Sequence, residues 1–297
     1  MEAVLEELRH LTAGARNCRT ETGIPRVAMV RGEISEHRLA GIYEPMVNLI
    51  VDGGKALTVG NRTYSIRAGG YFVVAAHVPA TGTVFQGGPG RPYVGVSLSI
   101  EPAILGEILL EAGGEHADRS DRPVQAVEPA SPEFLDAWRR MLRLMDSPME
   151  IRGLAPLYER EILFRVLQGP QGSLLREIAA PRSALCRITP AISWIRESFR
   201  ETLPVDRLAE RAAMSVSAFH RRFKALTGLS PNQYQKRIRL LVARQLMLSQ
   251  SVTASEASYE VGYESLSHFN RDYVRFFGST PARDARQLRG MISDTAA

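Results

Sequence analysis

Apolar residues between positions 24 and 100 recur in short runs, among them RVAMV, MVNLIV, YFVVAA and YVGVSLSI. These runs are rich in β-branched and aromatic side chains, and turn sequences such as DGGK, GNRT and AGG separate them. Short runs of this composition between tight turns are typical of antiparallel strands. The pattern therefore predicts a small β-barrel or β-sandwich in this part of the chain.

Helical periodicity flanks the β region on both sides. Before it, residues 1–14 carry an apolar stripe made of Val4, Leu5, Leu8 and Leu11. That amphipathic helix is predicted either to dock as an arm on one of the domains or to form part of a dimer contact. After the strands, helices are predicted at 102–113, 131–146 and 153–168. Pro102 and Pro132 suit the first helical position of two of them.

One pattern occurs twice near the end of the chain, at an offset of fifty residues. The first copy is SVSAFHRRFKALTGLSP at 215–231, and the second is SLSHFNRDYVRFFGSTP at 265–281. Both copies read Ser-x-Ser-x-Phe-x-Arg-x-aromatic, with Gly five residues further on and Pro three residues after that. Seven matches in register identify a structural repeat.

The spacing within each copy predicts a helix with two distinct faces. Phe219 and Phe223 are four residues apart, as are Phe269 and Tyr273, and such pairs stack on one face that packs into a core. The paired Ser and Arg positions of each copy lie on another face. We expect the helices to begin at the N-caps Ser215 and Ser265, and to end at Gly228 and Gly278.

A short helical run precedes each copy, VDRLAERAAM in one case and TASEASYEVGY in the other. Thr253 and Glu256 have the spacing of a capping box, and Gly262 is placed in the following turn. A helix, a tight turn and a second helix form the outline of a helix-turn-helix motif, whose second helix enters the major groove of DNA. The connecting helix between the two motifs is predicted to bury Ile238, Leu241, Leu246 and Leu248.

Size and charge support a division into two domains. The 297 residues exceed what single cores usually reach, and the composition is that of an ordinary globular protein without an apolar run long enough to span a membrane. We therefore expect no membrane partner and a cytoplasmic location. Residues 181–297 hold 18 Lys and Arg against 10 Asp and Glu, a net +8, which leaves −3 for the rest. Cys18 and Cys186 suggest neither a disulfide nor a thiolate metal site. The basic second part indicates a nucleic-acid partner.

The paired motifs, with GLSPNQYQKRIRLLVARQLML between them, resemble the DNA-binding domain of the AraC/XylS transcriptional regulators from Thr189 to Leu288. The resemblance implies that each motif presents a recognition helix to DNA. The implied contact residues are Ser217, His220, Arg221 and Lys224 in the first, and Ser267, His268, Asn270 and Arg271 in the second. Arg221 and Arg271 could contact bases, contact phosphates only, or pair with a neighbouring acid. Ala257 and Ser258 depart from the family pattern, so the second motif is predicted to pack or dock more loosely.

The segments YEPMVNLIVDGGKALTVGNRTYSIRAGGYFVVAAHVPATG and LAPLYEREILFRVLQGPQG resemble the cupin-like N-terminal domain of AraC-type regulators. This match runs through most of residues 20–180 and implies a ligand-responsive or dimer-forming module. From the strand pattern itself, an effector pocket is predicted at Met46, Asn48, Phe72 and His77, with ordinary barrel filling as the alternative. The clustered His and Glu ligands of metal cupins are missing from the sequence, so no metal site is predicted.

The sequence thus predicts an α+β multidomain protein with a cupin-like β-barrel and flanking helices, followed by an all-α domain with two helix-turn-helix motifs. The predicted limits are 1–168 for the sensor and dimerisation domain, 169–187 for the linker and 188–297 for the DNA-binding domain. The predicted function is transcriptional regulation through double-stranded promoter DNA under the control of a small organic effector. We expect a homodimer, RNA polymerase as a partner if the protein activates, no cofactor and no catalytic residues. A cupin-type enzyme with a DNA tether, and an architectural DNA-binding protein without a sensor, are the alternatives.

Overall fold

The computed structural model describes residues 2–16, 19–32, 38–112, 124–127, 129–180, 183–250 and 252–295, and Cys18 lies outside these ranges. The chain divides into two compact units. The first comprises Met1–Thr189 with Arg222–Gly228, and the second comprises Pro190–Arg221 with Leu229–Ala297. No helix in the described ranges is long and apolar enough to cross a membrane.

The first unit is built around strands, and each predicted run of the β region overlaps one of them. The strands are β1 Arg19–Glu21, β2 Val27–Gly32, β3 Arg38–Tyr43, β4 Met46–Asp52, β5 Gly54–Val59, β6 Arg62–Arg67, β7 Tyr71–Val74, β8 Val78–Phe85, β9 Tyr93–Ser99 and β10 Val124–Val127. They form a six-stranded sheet in the order β1-β2-β9-β4-β7-β10 and a four-stranded sheet in the order β3-β8-β5-β6. All pairings are antiparallel, as the short runs and tight turns predicted.

Helices cover the strands of the first unit. They are α1 Glu2–Leu11, α2 Pro102–Ala112, α3 Pro132–Arg143, a 3-10 turn Leu144–Asp146, α4 Pro148–Gln168 and α5 Gly172–Ala179. Ser131 caps α3 by accepting a hydrogen bond from the amide of Phe134, with Pro132 at the first helical position as expected. Helix α4 starts at Pro148 rather than at 153, because this proline occupies its first turn. The predicted linker 169–187 contains α5, which buries Leu174 and Leu175.

The N-terminal helix α1 docks within the first unit, against α3 and β4. Leu5 and Leu8 are buried there. Glu7 lies 3.3 Å from Nη1 of Arg139 and 2.5 Å from Nη2 of Arg143, which holds the helix to α3 by ion pairs as well as by apolar contact. Of the positions left open by the sequence, the structure shows α1 packed on the β unit.

The remaining helices form two helix-turn-helix pairs around one central helix, in agreement with the prediction. They are α6 Ala184–Glu197, α7 Val205–Arg211, α8 Val216–Thr227, α9 Pro231–Ser249, α10 Ala254–Glu260, α11 Leu266–Phe277 and α12 Pro281–Thr295. Helices α7 and α8 form the first motif, and α10 and α11 form the second. The buried aromatic side chains predicted for α8 and α11 are all inaccessible to solvent: Phe219, Phe223, Phe269 and Tyr273.

Capping of the two recognition helices agrees with the prediction at three of four ends. Ser215 Oγ accepts a hydrogen bond from the amide of Ala218 at 3.3 Å, and Gly228 and Gly278 have positive φ angles of 73° and 77°. The prediction for the Ser265 side chain was wrong. Ser265 occupies the N-cap position of α11, but its hydroxyl makes no capping bond and lies 2.9 Å from Ser267 Oγ. The hydroxyl is thus engaged with a neighbouring side chain instead of the first turn.

The central helix α9 is buried on two faces, and only part of the predicted set of buried residues lies on them. Ile238 and Leu241 are buried as expected, whereas Leu246 and Leu248 are only half-buried. A second buried face is formed by Leu240, Ala243 and Met247. The reason is that α9 packs against both α10 and α12, so neighbours on two sides select different positions of the helical period.

The second motif begins with the predicted capping box, in which Thr253 Oγ1 accepts from the amide of Glu256 while Glu256 Oε2 accepts from that of Thr253. Ala257 and Ser258 are both fully buried in α10, and Ser258 Oγ donates to the carbonyl of Ser255 at 2.7 Å. The prediction of looser packing at these two residues was therefore wrong. Small side chains let α10 lie close to its neighbours, and the hydroxyl that this buries is satisfied within the helix.

Candidate nucleic-acid interface and sheet interior

Helix α8 presents a polar, cationic face. Ser217, Arg221 and Lys224 are exposed, and His220 is half-buried, with its ring centre 6.4 Å from that of Phe219 and the two rings nearly perpendicular. Neither Arg221 nor Lys224 forms an ion pair with a carboxylate in the described part of the chain. Both cations therefore point into solvent with their donors ready for an acceptor from another molecule.

Helix α11 presents an equivalent face. Ser267, His268 and Arg271 are exposed, and Asn270 is half-buried. Within the ranges that the structure describes, Arg271 has no carboxylate partner either. The acid on this helix, Asp272, is instead held by Lys236 at 3.1 Å and by the hydroxyl of Tyr263 at 3.3 Å. The neighbouring acid is thus engaged by other groups, which leaves Arg271 free to contact a partner.

Arg275 was not among the predicted contact residues, and it is exposed one helical turn beyond Arg271 on the row that begins at Ser267. The four-residue spacing of 267, 271 and 275 could have identified it. Beside it, Arg237 of α9 lies over the ring of Phe276 at 3.9 Å. Burial, together with the nearby charge of Arg275, lowers the pKa of Arg237. Two guanidinium groups close together create a strongly positive spot next to the recognition face.

A joint on α9, made by the side chains of Arg239 and Gln235, connects the two motifs; we call it the α9 joint. The guanidinium of Arg239 donates to the carbonyls of Phe199 at 2.7 Å, Gly262 at 2.8 Å, and Arg200 and Glu201 at 3.1 Å each. Gln235 Nε2 donates to the carbonyls of Phe199 at 3.0 Å and Glu201 at 2.7 Å. These carbonyls belong to the loop before α7 and to the α10–α11 turn, so one side chain fixes both motifs.

Gly262 allows the second motif to approach this joint. Its φ angle is +85°, and a Cβ atom there would lie only 2.6 Å from the carbonyl oxygen of Arg200. A side chain at this position would push the turn away from the loop. Burial lowers the pKa of Arg239, which remains a cation because an arginine titrates far above neutrality. The joint is therefore a set of charge-assisted hydrogen bonds to backbone carbonyls.

A second buried network positions α11 against α9 and α12. Arg244 donates two hydrogen bonds to Asp284 from one edge of its guanidinium group, with Nε–Oδ2 at 2.8 Å and Nη2–Oδ1 at 3.1 Å. Tyr273 donates its hydroxyl to Asp284 Oδ2 at 2.8 Å. Burial, followed by the charge of Asp284, raises the pKa of Tyr273, which therefore stays protonated as the donor. These contacts fix the rotation of α11 and hence the direction of its polar face.

In the first unit the structure brings two of the predicted pocket residues together. Asn48 on β4 pairs directly with Phe72 on β7 and with Ser97 on β9, and both Asn48 and Phe72 are buried. Met46 is half-buried at the start of β4, and His77 is half-buried in the turn between β7 and β8. No described hydrogen-bond partner reaches the buried Oδ1 of Asn48.

A buried lysine, which the sequence analysis missed, lies next to these residues. Lys55 on β5 is only 6% exposed, and its Nζ lies 4.8 Å from the ring centre of Tyr43, 5.6 Å from Phe72 and 5.7 Å from Tyr93. We call this group the aromatic cage. Because its rings come from strands of both sheets, the inner faces of the sheets meet here. The alternation of Lys55, Leu57 and Val59 as buried positions of β5 was the signal that could have identified it.

The electrostatics of the aromatic cage favour a charged lysine. Burial by itself lowers the pKa of Lys55, but its interactions with the phenol groups of Tyr43 and Tyr93 outweigh burial and raise the pKa overall. For Tyr93 the effect of burial has the opposite sign: burial raises the pKa of its hydroxyl, which therefore stays neutral. The inner faces of the sheets therefore hold a cation surrounded by neutral aromatic groups.

Two further observations bear on the predicted chemistry. Within the described ranges no group of three or more His, Cys, Asp or Glu side chains is placed to hold a metal ion. Cys186 is an exposed free thiol.

Family models match both parts of the chain. One described as the AraC-type transcriptional regulator N-terminus matches residues 23–174, and one described as a helix-turn-helix domain matches 208–287. Among curated proteins, the HTH-type transcriptional activator RhaS of Salmonella schwarzengrund is 32% identical over 155 residues, which are 52% of this chain and 55% of that protein. RhaS of Escherichia coli is 29% identical over 154 residues, which are 51% of this chain and 54% of that protein. The chain thus spans about half the length of the curated relatives it matches.

Solved structures share the fold. An apo ToxT variant from Vibrio cholerae gives a TM-score of 0.57 at 10% identity, over 87% of this chain and 96% of that one. Unsaturated fatty acid bound wild-type ToxT gives 0.53 at 11% identity, over 86% and 93%. These likenesses concern the fold alone, but the first family model covers more than half of the 297 residues. The chain, with its β domain followed by two helix-turn-helix motifs, therefore belongs to the family of AraC-type transcriptional regulators.

Proposed function

We propose that this protein is a sequence-specific DNA-binding regulator whose β domain binds a small effector that controls DNA binding or promoter activation. The observation that carries the proposal is the pair of recognition helices, each with an exposed serine and an arginine without a carboxylate partner in the described residues. Two such helices suit two successive major grooves of one DNA duplex.

The chemistry of the two faces supports base recognition. An arginine can donate two hydrogen bonds to O6 and N7 of guanine, whereas serine, asparagine and histidine make shorter contacts to base edges or phosphates. Of the three possibilities for Arg221 and Arg271, pairing with a neighbouring acid is the one that the geometry does not support, since the nearby Asp272 is bound by Lys236. We assign base contact to these two arginines and propose contacts for Ser217, His220, Lys224, Ser267, His268 and Asn270 around them.

Selection of bound sequences from random DNA tests the proposal directly. We expect the full chain to enrich two short sequence blocks with centres roughly 10–10.5 base pairs apart, because successive major grooves on one face recur at that distance. The double variant Arg221→Ala/Arg271→Ala should lose the enrichment. Arg19→Ala removes one exposed arginine from β1 and serves as the control. This variant should retain the enrichment. A wild-type pool without any enriched sequence would contradict the proposal.

Effector control has two kinds of support. A protein of the same fold, ToxT, is known with an unsaturated fatty acid bound. In this chain, the buried Asn48 and Phe72 lie beside a caged cation on the inner faces of the sheets, where a ligand could be oriented. We propose that effector binding there changes how the DNA-binding unit engages its sites. A thermal-shift screen of small metabolites tests this, since a ligand at 100 times its Kd stabilises by about 2.7 kcal/mol.

We further propose that the protein acts as a homodimer and that, if it activates transcription as the name of the RhaS relatives says of them, it contacts RNA polymerase. Exposed apolar side chains on α2 and α4 support self-association: Leu110 is 86% exposed, and Leu157 and Phe164 are exposed as well. Light scattering of the eluting protein should show a dimer, and Leu157→Glu should convert it to a monomer. Tyr259→Glu, on α10, is the matched control.

Transcription with purified polymerase should rise when the protein is added.

A further inference from the structure

The aromatic cage holds a positive charge without a negative partner. Lys55 makes no ion pair with a carboxylate among the described residues, and it is 6% exposed. A buried charge is costly unless an opposite charge or hydrogen bonds compensate it. The π faces of Tyr43, Phe72 and Tyr93 compensate it in part, as do the hydroxyl oxygens of Tyr43 and Tyr93, which accept hydrogen bonds from the ammonium. They do not neutralise the charge, so an anion brought to Nζ would gain strongly from pairing with it.

An unsatisfied acceptor lies close to this charge. Asn48 is only 7% exposed, and its buried Oδ1 atom accepts no hydrogen bond from any described group. A buried acceptor without a donor loses its hydration and gains nothing in return. The site therefore lacks two things, a negative charge at Lys55 and a hydrogen-bond donor at Asn48.

The phenol of Tyr93 links the two groups. Gly95 has no side chain, and a Cβ atom there would lie 2.4 Å from the hydroxyl oxygen of Tyr93 and 3.5 Å from Asn48 Oδ1. The Tyr93 hydroxyl and the Asn48 amide thus converge on the same stretch of β9 backbone. The ring of Tyr93 also lies beneath Nζ of Lys55. One compact ligand could therefore reach the ammonium and the amide oxygen together.

Building on the effector role proposed above, we propose that the effector is a small organic acid that also carries a hydroxyl group. Its carboxylate pairs with the Lys55 ammonium, and its hydroxyl donates to Asn48 Oδ1. Its carbon skeleton packs on the rings of Phe72 and Tyr93, which an inorganic anion could not do. Amines are disfavoured because a second cation would be repelled, and neutral sugars or amides offer the buried ammonium no anionic partner.

The chain itself provides a direct measurement, because it contains three lysines, Lys55, Lys224 and Lys236. Full-length protein labelled with ¹³C and ¹⁵N in lysine would give one set of Cε and Nζ signals per residue. We would titrate it with 2-, 3- and 4-hydroxybenzoate, with benzoate, and with 4-hydroxybenzamide. At least one hydroxybenzoate should shift the Lys55 signals while Lys224 and Lys236 stay unchanged. The neutral amide should leave all three unchanged.

Variants then assign the two contacts. Lys55→Met should weaken binding of the hydroxybenzoate that shifted Lys55 by roughly 10- to 100-fold, the range expected for loss of a charged hydrogen bond. Lys236→Met, the same change at an exposed lysine of α9, should have no effect. Asn48→Leu should remove the preference for hydroxybenzoate over benzoate and keep the preference for acid over amide. If Lys55→Met does not fold, the titration of the wild type still decides the outcome.

Two results would overturn the inference in different ways. If 4-hydroxybenzamide binds as tightly as the acid and Lys55→Met keeps the affinity, the sheet interior binds a ligand but not through this charge, and the proposed effector role stands. If none of these compounds moves the Lys55 signals at millimolar concentration, the assignment of a hydroxy acid to this site is wrong, and the thermal-shift screen decides the effector role separately. DNA selection, which uses the protein without ligand, is independent of both results.

Discussion

The two arginines at the same position of the repeated pattern, Arg221 and Arg271, carry the sequence specificity that we propose. They share a setting: each lies on the exposed face of a helix whose opposite face is a buried aromatic pair. Arg275 differs because it lies further along α11, next to Arg237 and Phe276. Its position beside another cation suits a phosphate contact better than a base contact. Two residues one helical turn apart should therefore differ in what they recognise.

Substitution separates these roles. Arg271→Ala should cost about 1–3 kcal/mol on a selected site and little on random DNA, because it removes contacts to base edges. Arg275→Ala should weaken selected and random DNA alike and reduce the salt slope by about one. Fluorescence anisotropy on both kinds of duplex across a salt series measures both quantities. If Arg271→Ala weakens random DNA as much as the selected site, Arg271 is a phosphate contact.

At the scale of elements, the two helices of the second motif differ in how they begin. Helix α10 starts with a reciprocal capping box between Thr253 and Glu256. Helix α11 starts at Ser265, whose hydroxyl contacts Ser267 instead of the first turn. A hydroxyl side chain thus occupies the N-cap position of both helices, but only that of Thr253 caps the helix.

Thr253→Ala should therefore destabilise the protein by about 1 kcal/mol, the usual cost of losing an N-cap side chain. Ser265→Ala is the matched comparison, and it should change the free energy of unfolding by only a few tenths of a kcal/mol, since no cap is lost. Denaturant titration of the full chain, followed by helix content, measures both variants. Equal losses for the two would show that Ser265 caps α11 in solution.

The α9 joint predicts a coupling between the motifs. Arg239 holds the loop before α7 and the α10–α11 turn through four backbone carbonyls. Arg239→Lys keeps the charge but cannot reproduce the planar fork of donors, so the motifs should move more freely relative to each other. We expect the variant to tolerate one or two base pairs inserted between the selected blocks better than the wild type does.

The measurement is the ratio of affinities for the selected and the expanded site. A purely structural loss would weaken binding to both duplexes equally and leave this ratio unchanged, which would rule out a positioning role for Arg239. Arg244→Lys is a suitable comparison. Arg244 binds Asp284, which also accepts from Tyr273, and this network does not include the loop before α7. That variant should disturb α11 without relaxing the spacing preference.

At the scale of the whole molecule, charge is distributed unevenly. Residues 181–297 carry a net +8 and the rest of the chain −3. Association with DNA should therefore depend steeply on salt, with a slope of about −0.9 for each phosphate neutralised. Removing one exposed charge from the β strands, as in Arg19→Ala, should leave that slope unchanged. Affinities measured between low and physiological salt provide the test, and a shallow slope for the wild type would argue against a phosphate-tracking surface.

Local patterns explain how much of this architecture was predictable. The recognition helices, their aromatic faces and their terminal glycines follow from periodicity and backbone preference within about twelve residues, so the repeat predicted them from residues such as Phe219 and Gly278. The strands followed from short apolar runs between turns. The predicted burial of Leu246 and Leu248 was wrong, because burial on α9 depends on which helices pack on its two sides. That packing is not a local property of the sequence.

Candidate sites show the same division. The sequence by itself determined the family, the two motifs and the faces that carry Arg221 and Arg271, because spacing along one helix decides which side chains share a face. Only the tertiary structure placed Lys55 among rings from both sheets and Arg239 against carbonyls from both motifs. These contacts join residues far apart in the chain, and the pairing register and the helix packing that bring them together are set by the whole fold.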